Sequence, residues 1–176
     1  MPNEYHEALH CLRNGGVVLF PSETGWCLGA DARPPEAVAK LDALLPPTVP
    51  DAHTLLIADV GQLSQYVAQV PDVAWDWVEF SEKPLTIVYP KGKNVSPAAL
   101  TTDGRIAIRL LRDDFARNLV HRFGRGVLST PVAPDALTTL KTAVDAVLQP
   151  NTPPRFQPPG PLVRLGLAGE VEFLRR

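Results

Sequence analysis

The stretch from Val17 to Ala30, VVLFPSETGWCLGA, constrains the fold more than any other part of the chain. Its apolar run over residues 17–20 is typical of a strand covered on both faces, which needs no alternation with polar residues. That strand leads directly into a polar turn of Ser22, Glu23 and Thr24. Because α/β sheets bind ligands at the carboxyl ends of buried strands, these are candidate site residues. An ordinary turn rich in hydroxyl side chains is the alternative interpretation.

Composition predicts one soluble domain over residues 1–176, since a chain of this length can bury a single substantial core. The 19 prolines are about twice the usual share, which indicates many stiff loops. A formal charge of −2 argues against a strongly basic nucleic-acid binder, although a local basic face is compatible with it. No apolar run is long enough to span a membrane, so we expect a cytoplasmic protein with no membrane partner.

Metal and disulfide chemistry have no support in the residue spacing. Cys11 and Cys27 belong to no CxxC pair and are expected to be small buried apolar residues. His6 and His10 stand four residues apart on a predicted helix, but the neighbouring sequence supplies no third ligand. We therefore predict no metal site.

The apolar periodicity predicts helices alternating with short strands, and hence an α/β (α+β) fold. Asn3 is expected to cap the first helix and Asp59 a short one. Helices are predicted over 4–14, 34–44, 71–80, 113–123 and 136–148. Strands are predicted over 17–20, 53–58, 84–89, 105–110 and 126–130, followed by a hairpin of 162–165 and 171–174. Residues 45–51 and 151–161, both rich in proline, are expected to be loops.

Two of the predicted strands carry further polar candidates. Arg105 and Arg109 are two periods apart, so both point either into a crevice or into solvent. Arg109 could alternatively form an ion pair with Glu23 or with an aspartate of the following helix. The strand over 126–130 ends in two hydroxyl residues, Ser129 and Thr130.

This order of segments resembles the YrdC/Sua5 family, the threonylcarbamoyl-AMP synthases, over nearly the whole chain. The family's first strand and turn read VVxFPT[DE]TxYGLG, and residues 20–29, FPSETGWCLG, are similar with three changes. Residues 84–86 look like its PLT strand, and Arg109 falls on the arginine of another. Residues 127–130 resemble the strand that leads into its STSAN motif.

The resemblance implies a twisted mixed sheet with flanking helices and a concave cavity. Family members convert L-threonine, bicarbonate and ATP into threonylcarbamoyl-AMP and pyrophosphate for the t6A modification of tRNA, and double-stranded RNA binding is also attributed to them. The resemblance also implies that the residues that bind substrate are Ser22, Glu23, Thr24, Trp26 and Arg109. Trp26 is alternatively a wall or core residue. By the same resemblance, Ser129 and Thr130 bind nucleotide, and ATP is the cosubstrate of an active member.

The chain departs from the family at positions that bind anions. A KxR motif normally follows the second helix, where this chain has Leu45, Pro46 and Pro47. The SxN after Ser129 and Thr130 is replaced by residues 131–133, PVA, and a family serine near the last strands is replaced by residues 160–161. Leucine and proline supply no cation, so charge-assisted bonds to phosphate are lost. Lys91, Lys93 or Arg155 are candidates to compensate from loops.

Three hypotheses follow from these departures. The first is a catalytically degenerate homologue, a pseudoenzyme that retains binding of threonine, ATP or double-stranded RNA. The second is a divergent active synthase of the nucleotidyltransferase type that uses threonine, bicarbonate and ATP. The third is a non-catalytic protein retained for binding a protein partner.

Overall fold

The computed structural model describes residues 4–45 and 53–175, and its described strands and helices confirm the mixed α/β fold. The strands are β1 (Val18–Pro21), β2 (Trp26–Asp31), β3 (Thr54–Ile57), β4 (Thr86–Tyr89), β5 (Ile106–Leu110), β6 (Val127–Pro131), β7 (Ala146–Val147), β8 (Leu162–Leu165) and β9 (Val171–Arg175). The α-helices are α1 (Glu4–Arg13), α2 (Pro35–Ala43), α3 (Leu63–Tyr66), α4 (Asp72–Phe80), α5 (Asp114–Phe123) and α6 (Leu137–Ala143).

The strands form one twisted mixed sheet in the order β7-β1-β2-β6-β3-β5-β4-β8-β9. The pairs β1–β7, β3–β5 and β4–β8 are parallel, and the other neighbouring strands are antiparallel. The predicted hairpin is confirmed as β8 and β9.

Most predicted boundaries agree with the structure to within one or two residues. The Asp59 cap is confirmed, because its side chain accepts a hydrogen bond from the Gly61 N–H at the start of a 3₁₀ turn. Asp113 caps α5 in the same way. The predicted cap Asn3 and residues 46–51 of the predicted loop lie outside the described residues.

The helix predicted over 136–148 is wrong in its second half. Helix α6 ends at Ala143 because Val144 adopts an extended conformation, and β7 follows. Strand β7 pairs with β1, and the Leu148 N–H donates to the Leu19 carbonyl at 2.8 Å. Tertiary pairing with the sheet has therefore overridden a helical apolar pattern that β-branched residues already weakened.

Side chains of successive strand residues enter two different cores, one on each face of the sheet. Leu55 and Ile57 pack on the face covered by α2, α3 and α4, whereas Leu56 packs on the face covered by α1 and α5. Arg109 lies opposite Leu56 in the β3–β5 register, so its side chain belongs to the α1/α5 face. The two core clusters place α1 and α5 over the β7-β1-β2-β6-β3 half of this face. The remaining half, formed by β5, β4, β8 and β9, is the floor of a cavity.

Candidate functional site

A cavity of about 740 Å³ occupies the uncovered half of the α1/α5 face. Its floor consists of alternate residues of three neighbouring strands, because only every second side chain of a strand points to one face. These floor residues are Ala107 and Arg109 of β5, Thr86 and Val88 of β4, and Leu162 and Arg164 of β8. Thr24, His53, Thr54 and Pro131 line it on the side of the predicted S-E-T turn.

The S-E-T turn is closed by its own hydrogen bonds. The Ser22 N–H donates to the Gly25 carbonyl at 2.9 Å, and the Ser22 hydroxyl donates to the same oxygen at 3.0 Å. Gly25 has a φ of +152°, a conformation that favours glycine, which gives its place in the turn a physical reason. Thr24 lines the cavity, whereas the buried Ser22 and Glu23 lie directly behind the lining.

Glu23 and Arg109 form an ion pair at the back of the cavity. Arg109 Nε lies 3.3 Å from Glu23 Oε1, and the two side chains are only 13% and 2% exposed. Glu23 Oε2 accepts the Arg112 N–H at 3.1 Å, and Arg109 Nη2 donates to Ser22 Oγ at 3.4 Å. Arg109 therefore both lines the cavity and forms an ion pair with Glu23, although the sequence presented these two arrangements as alternatives.

Burial weakens the charged forms of both partners. It raises the pKa of Glu23, an effect that the Arg109 charge and the Arg112 N–H oppose. Burial likewise lowers the pKa of Arg109, against the attraction of Glu23. Arg109 Nε and Glu23 Oε1 are close but misaligned, so each lacks a well-formed hydrogen bond to any described residue. Both atoms are buried, so this unused hydrogen-bonding capacity lies behind the cavity surface.

Three further arginines line the cavity. Arg105 contacts Asp103 at 3.0 Å and Arg164 contacts Glu172 at 2.9 Å, whereas Arg175 donates to the Gly160 carbonyl at 2.9 Å. Arg105 and Arg109 do share one face, as their spacing predicted. The described lining thus carries four guanidinium groups and two carboxylates, those of Asp42 and Asp103.

Sequence reasoning missed Arg164 and Arg175 as cavity residues. Their place depends on β8 joining β4, a pairing that no local pattern reveals. The proposed compensating residues Lys91 and Lys93 are not among the described lining residues. Arg155 instead lines a second cavity of about 700 Å³, which also borders Ser22 on the side of the proline-rich segment.

Ser129 and Thr130 point to opposite faces of β6, so the two hydroxyls do not enter one site together. Ser129 Oγ donates to the Thr54 carbonyl at 2.9 Å. Thr130 Oγ1 lies 3.0 Å from His53 Nδ1, and His53 Nε2 lies 2.7 Å from Asp42 Oδ1. Both residues are buried, and neither is among the described residues that line the cavity. His53 and Asp42, which do line the cavity, were not predicted.

Trp26 packs against the core on the α2/α3/α4 face and is not among the described residues that line the cavity. Lys141 Nζ lies 5.7 Å from its ring centroid, a cation–π distance. This placement fits the wall or core alternative better than a stacking platform inside the cavity.

Within residues 4–45 and 53–175, no group of three or more His, Cys, Asp or Glu side chains is arranged to hold a metal ion. In the same ranges, no helix has the length and apolar character needed to cross a bilayer.

The fold and site define a mixed α/β protein with an arginine-lined cavity on the open half of one sheet face. The family model Sua5_yciO_yrdC, described as "Telomere recombination", matches residues 10–176. The chain belongs to the Sua5/YciO/YrdC family, which confirms the family resemblance.

Curated relatives with the name threonylcarbamoyl-AMP synthase support the same conclusion. The protein of Halorhodospira halophila is 33% identical over 129 residues, which cover 71% of this chain and 66% of the relative. The protein of Photobacterium profundum is 30% identical over 143 residues, which cover 79% of this chain and 77% of the relative. This chain thus spans about two thirds to three quarters of their length.

Solved structures of similar fold are about one-fifth identical in sequence. Escherichia coli YciO has a TM-score of 0.81 at 22% identity, covering 99% of this chain and 89% of that one. P. abyssi Sua5 complexed with L-threonine has a TM-score of 0.79 at 21% identity, covering 92% of this chain and 50% of that one. This chain therefore spans half the length of that Sua5.

Proposed function

We propose that this chain binds L-threonine and ATP in the arginine-lined cavity but does not complete threonylcarbamoyl-AMP synthesis. The observation that carries the proposal is the position of Arg109, which lines the cavity while Glu23 and Ser22 hold it from behind. A guanidinium fixed in this way binds a carboxylate or phosphate with little further ordering. The names of the curated relatives and the threonine complex of P. abyssi Sua5 support this choice of ligands.

The cavity provides charge for more than one anion. Arg105 and Arg164 line its floor and rim, and each is paired with a single surface carboxylate that a ligand phosphate could replace. Planar guanidinium groups suit phosphate oxygens because they donate two parallel hydrogen bonds. Binding of a polyphosphate therefore does not require the missing KxR cations.

Synthesis requires more precisely placed side chains than ligand binding does. We therefore propose that this chain has lost catalysis while it retains binding. The carbamate and the α-phosphate must be held in a reactive geometry by groups that favour the transition state. Where the family has a serine and an asparagine, this chain has Pro131 and Ala133, which offer no side-chain donors. Ser129 and Thr130 are already bonded to Thr54 and His53.

Calorimetric titration with threonine and with ATP tests the binding proposal. We expect Arg164→Gln to weaken ATP binding by roughly 10- to 100-fold, because a charge-assisted bond contributes about 1.5–3 kcal/mol. Arg33→Gln, at an exposed arginine that does not line the cavity, is the matched control and should bind like the wild type. Failure of either ligand to bind above background would overturn the proposal.

Two further measurements separate the remaining hypotheses. Pyrophosphate release that requires threonine, bicarbonate and ATP would reject degeneracy in favour of the divergent synthase. A gel shift with tRNA tests the proposal that RNA binding is retained. Leu45→Lys combined with Pro47→Arg, the latter outside the described residues, restores the cations and should raise ATP affinity.

A further inference from the structure

The arginine-lined cavity carries groups of opposite charge at two separate places in its lining. Asp42 of α2 and His53, which directly precedes β3, line one place, which we call the carboxylate end. Arg164 of β8 lines the other. Arg105 reaches the same strand, because its Nη1 donates to the carbonyl of Leu165 in β8 at 3.2 Å. We call the place occupied by Arg105 and Arg164 the guanidinium end.

The sheet register separates these two ends. Strands β3, β5, β4 and β8 are neighbours in that order, and their registers place Leu55 and Val163 in one row across the sheet. His53 lies two residues from Leu55, and Arg164 lies next to Val163. Three strand spacings correspond to about 14 Å. A ligand that contacts both ends must therefore be extended.

Asp42 supplies a negative charge that no described lysine or arginine balances. Its Oδ1 lies 2.7 Å from His53 Nε2, whereas no residue within 4–45 or 53–175 donates to its Oδ2 or offers it a lysine or arginine ion pair. The adjoining segment 46–52, PPTVPDA, contains no basic residue. Asp103, the other lining carboxylate, is in contrast paired with Arg105 at 3.0 Å. The Asp42 side chain is 46% exposed, so a ligand can reach it.

His53 holds the Asp42 carboxylate in place. Its side chain is only 12% exposed, and its Nδ1 lies 3.0 Å from Thr130 Oγ1. A neutral imidazole serves both contacts, with the Nε2–H donating to Asp42 and Nδ1 accepting from the Thr130 hydroxyl. Asp42 then keeps its negative charge and a free Oδ2. A carboxylate held in this way loses little freedom when it binds a cation.

We propose that the cavity binds an extended dipolar ligand, with a primary ammonium group at Asp42 and a phosphate group at the guanidinium end. The ammonium group donates a charge-assisted hydrogen bond to Asp42 Oδ2. The phosphate accepts paired hydrogen bonds from Arg164 or Arg105 in place of their surface carboxylates. This ligand class goes beyond threonine and ATP, because threonine is too short to reach both ends and ATP has no ammonium group. The inference does not depend on the binding of either.

Calorimetric titration with alkyl phosphates at pH 8, above the usual titration range of histidine, tests this proposal. Aminohexyl phosphate carries both groups on a long chain, hexyl phosphate lacks the amine, and aminoethyl phosphate is too short to contact both ends. We expect aminohexyl phosphate to bind at least about 5-fold more tightly than either of the others, as suits a charge-assisted bond to a half-exposed carboxylate.

Asp42→Asn isolates the charge of the carboxylate end. The preference for aminohexyl over hexyl phosphate should fall below about 2-fold, because the amide is neutral while its oxygen still accepts from His53 Nε2–H. Asp76→Asn, at an exposed aspartate of α4 that does not line the cavity, is the matched control and should keep the preference. Circular dichroism shows whether both variants remain folded.

Three results would overturn the proposal, and the first two need no variant. They are equal affinities of the wild type for aminohexyl and hexyl phosphate, no binding of aminohexyl phosphate, and a preference that persists in Asp42→Asn. Titrations with threonine and with ATP are separate measurements, so failure of this proposal is distinguishable from failure of the proposed function.

Discussion

At the scale of single residues, the Glu23–Arg109 ion pair matters both for the stability of the fold and for the candidate binding site. Two charges out of water are tolerated only with close partners, and removal of one leaves the other uncompensated. Glu23 is 2% exposed and is also held by the Arg112 N–H, so its carboxylate has little access to water. Arg109 should therefore be needed for folding as well as for any ligand.

We predict that Glu23→Leu lowers the free energy of unfolding by about 3 kcal/mol, because it strands the Arg109 guanidinium in a buried position. The double variant Glu23→Leu/Arg109→Met should lose less than the sum of the two single changes, since it removes both charges. Urea denaturation at pH 7 measures all three variants.

The surface pair Arg164–Glu172 provides the control for this prediction. Glu172 has a side chain 60% exposed, so Glu172→Gln should change stability by less than about 1 kcal/mol. Additive losses in the double variant would show that Glu23 and Arg109 do not stabilise each other.

The individual site residues were predictable only in part. The S-E-T turn and Arg109 were identified because a short strand and its polar end leave a local pattern. Ser129 and Thr130 were both assigned to nucleotide binding, although the alternation of strand side chains makes neighbouring residues face opposite ways. Glu23 was one of the two acidic partners considered for Arg109, and the choice between them depends on the packing of segments more than eighty residues apart.

At the scale of elements, β2 is packed against β1 and β6 through a glycine. A Cβ atom added at Gly29 would lie 2.5 Å from Phe20 Cε1 and 2.9 Å from Val127 Cγ1. Such distances force neighbouring core side chains to move. Gly29, near the end of the stretch over 17–30, is therefore required by the close packing of core side chains and not by a turn.

We predict that Gly29→Ala destabilises the protein by about 1–3 kcal/mol, the usual result of overfilling a packed core. Gly61→Ala is the matched control, because no atom lies within 4 Å of its added Cβ. Thermal unfolding compares the two variants. Equal melting temperatures would contradict the close packing at Gly29.

Strand β7 is tied to the sheet by the residue that precedes it. Asp145 Oδ2 accepts the Val17 N–H at 2.9 Å and contacts Lys40 Nζ at 3.0 Å. The Val17 N–H, and then Lys40, hold the pKa of Asp145 below its ordinary value. Because these bonds join residues far apart in the chain, the local apolar pattern over 136–148 wrongly predicted a helix that continues to residue 148.

Asp145 should therefore stabilise the fold in a pH-dependent way. Because its folded pKa is lowered, the contribution is present above the ordinary aspartate pKa near 4 and is lost as pH falls through the folded value. We expect Asp145→Asn to lower the free energy of unfolding by less than about 1 kcal/mol at pH 7, since the side chain is 45% exposed. The difference should shrink below pH 4, as measured by urea denaturation, and a constant difference would contradict this assignment.

At the scale of the whole molecule, the sequence predicted the fold class better than the strand order. Seven of the nine described strands follow from apolar runs and flanking turns, which are local, whereas β2 and β7 were not predicted. Strand order depends on pairings such as β8 with β4 and β7 with β1, which join distant segments. The arginine-lined cavity arises from this order, so its composition could not be derived residue by residue.

The place of β1 between β2 and β7 also affects how the chain is made. Val17 and Asp145, which bond to each other, are 128 positions apart. At a synthesis rate of about 5–20 residues per second, β1 would wait roughly 6–25 s after its own emergence before β7 is available. For that time the outer edge of this apolar strand has no parallel neighbour, which makes the nascent chain a candidate for chaperone binding before the site can form.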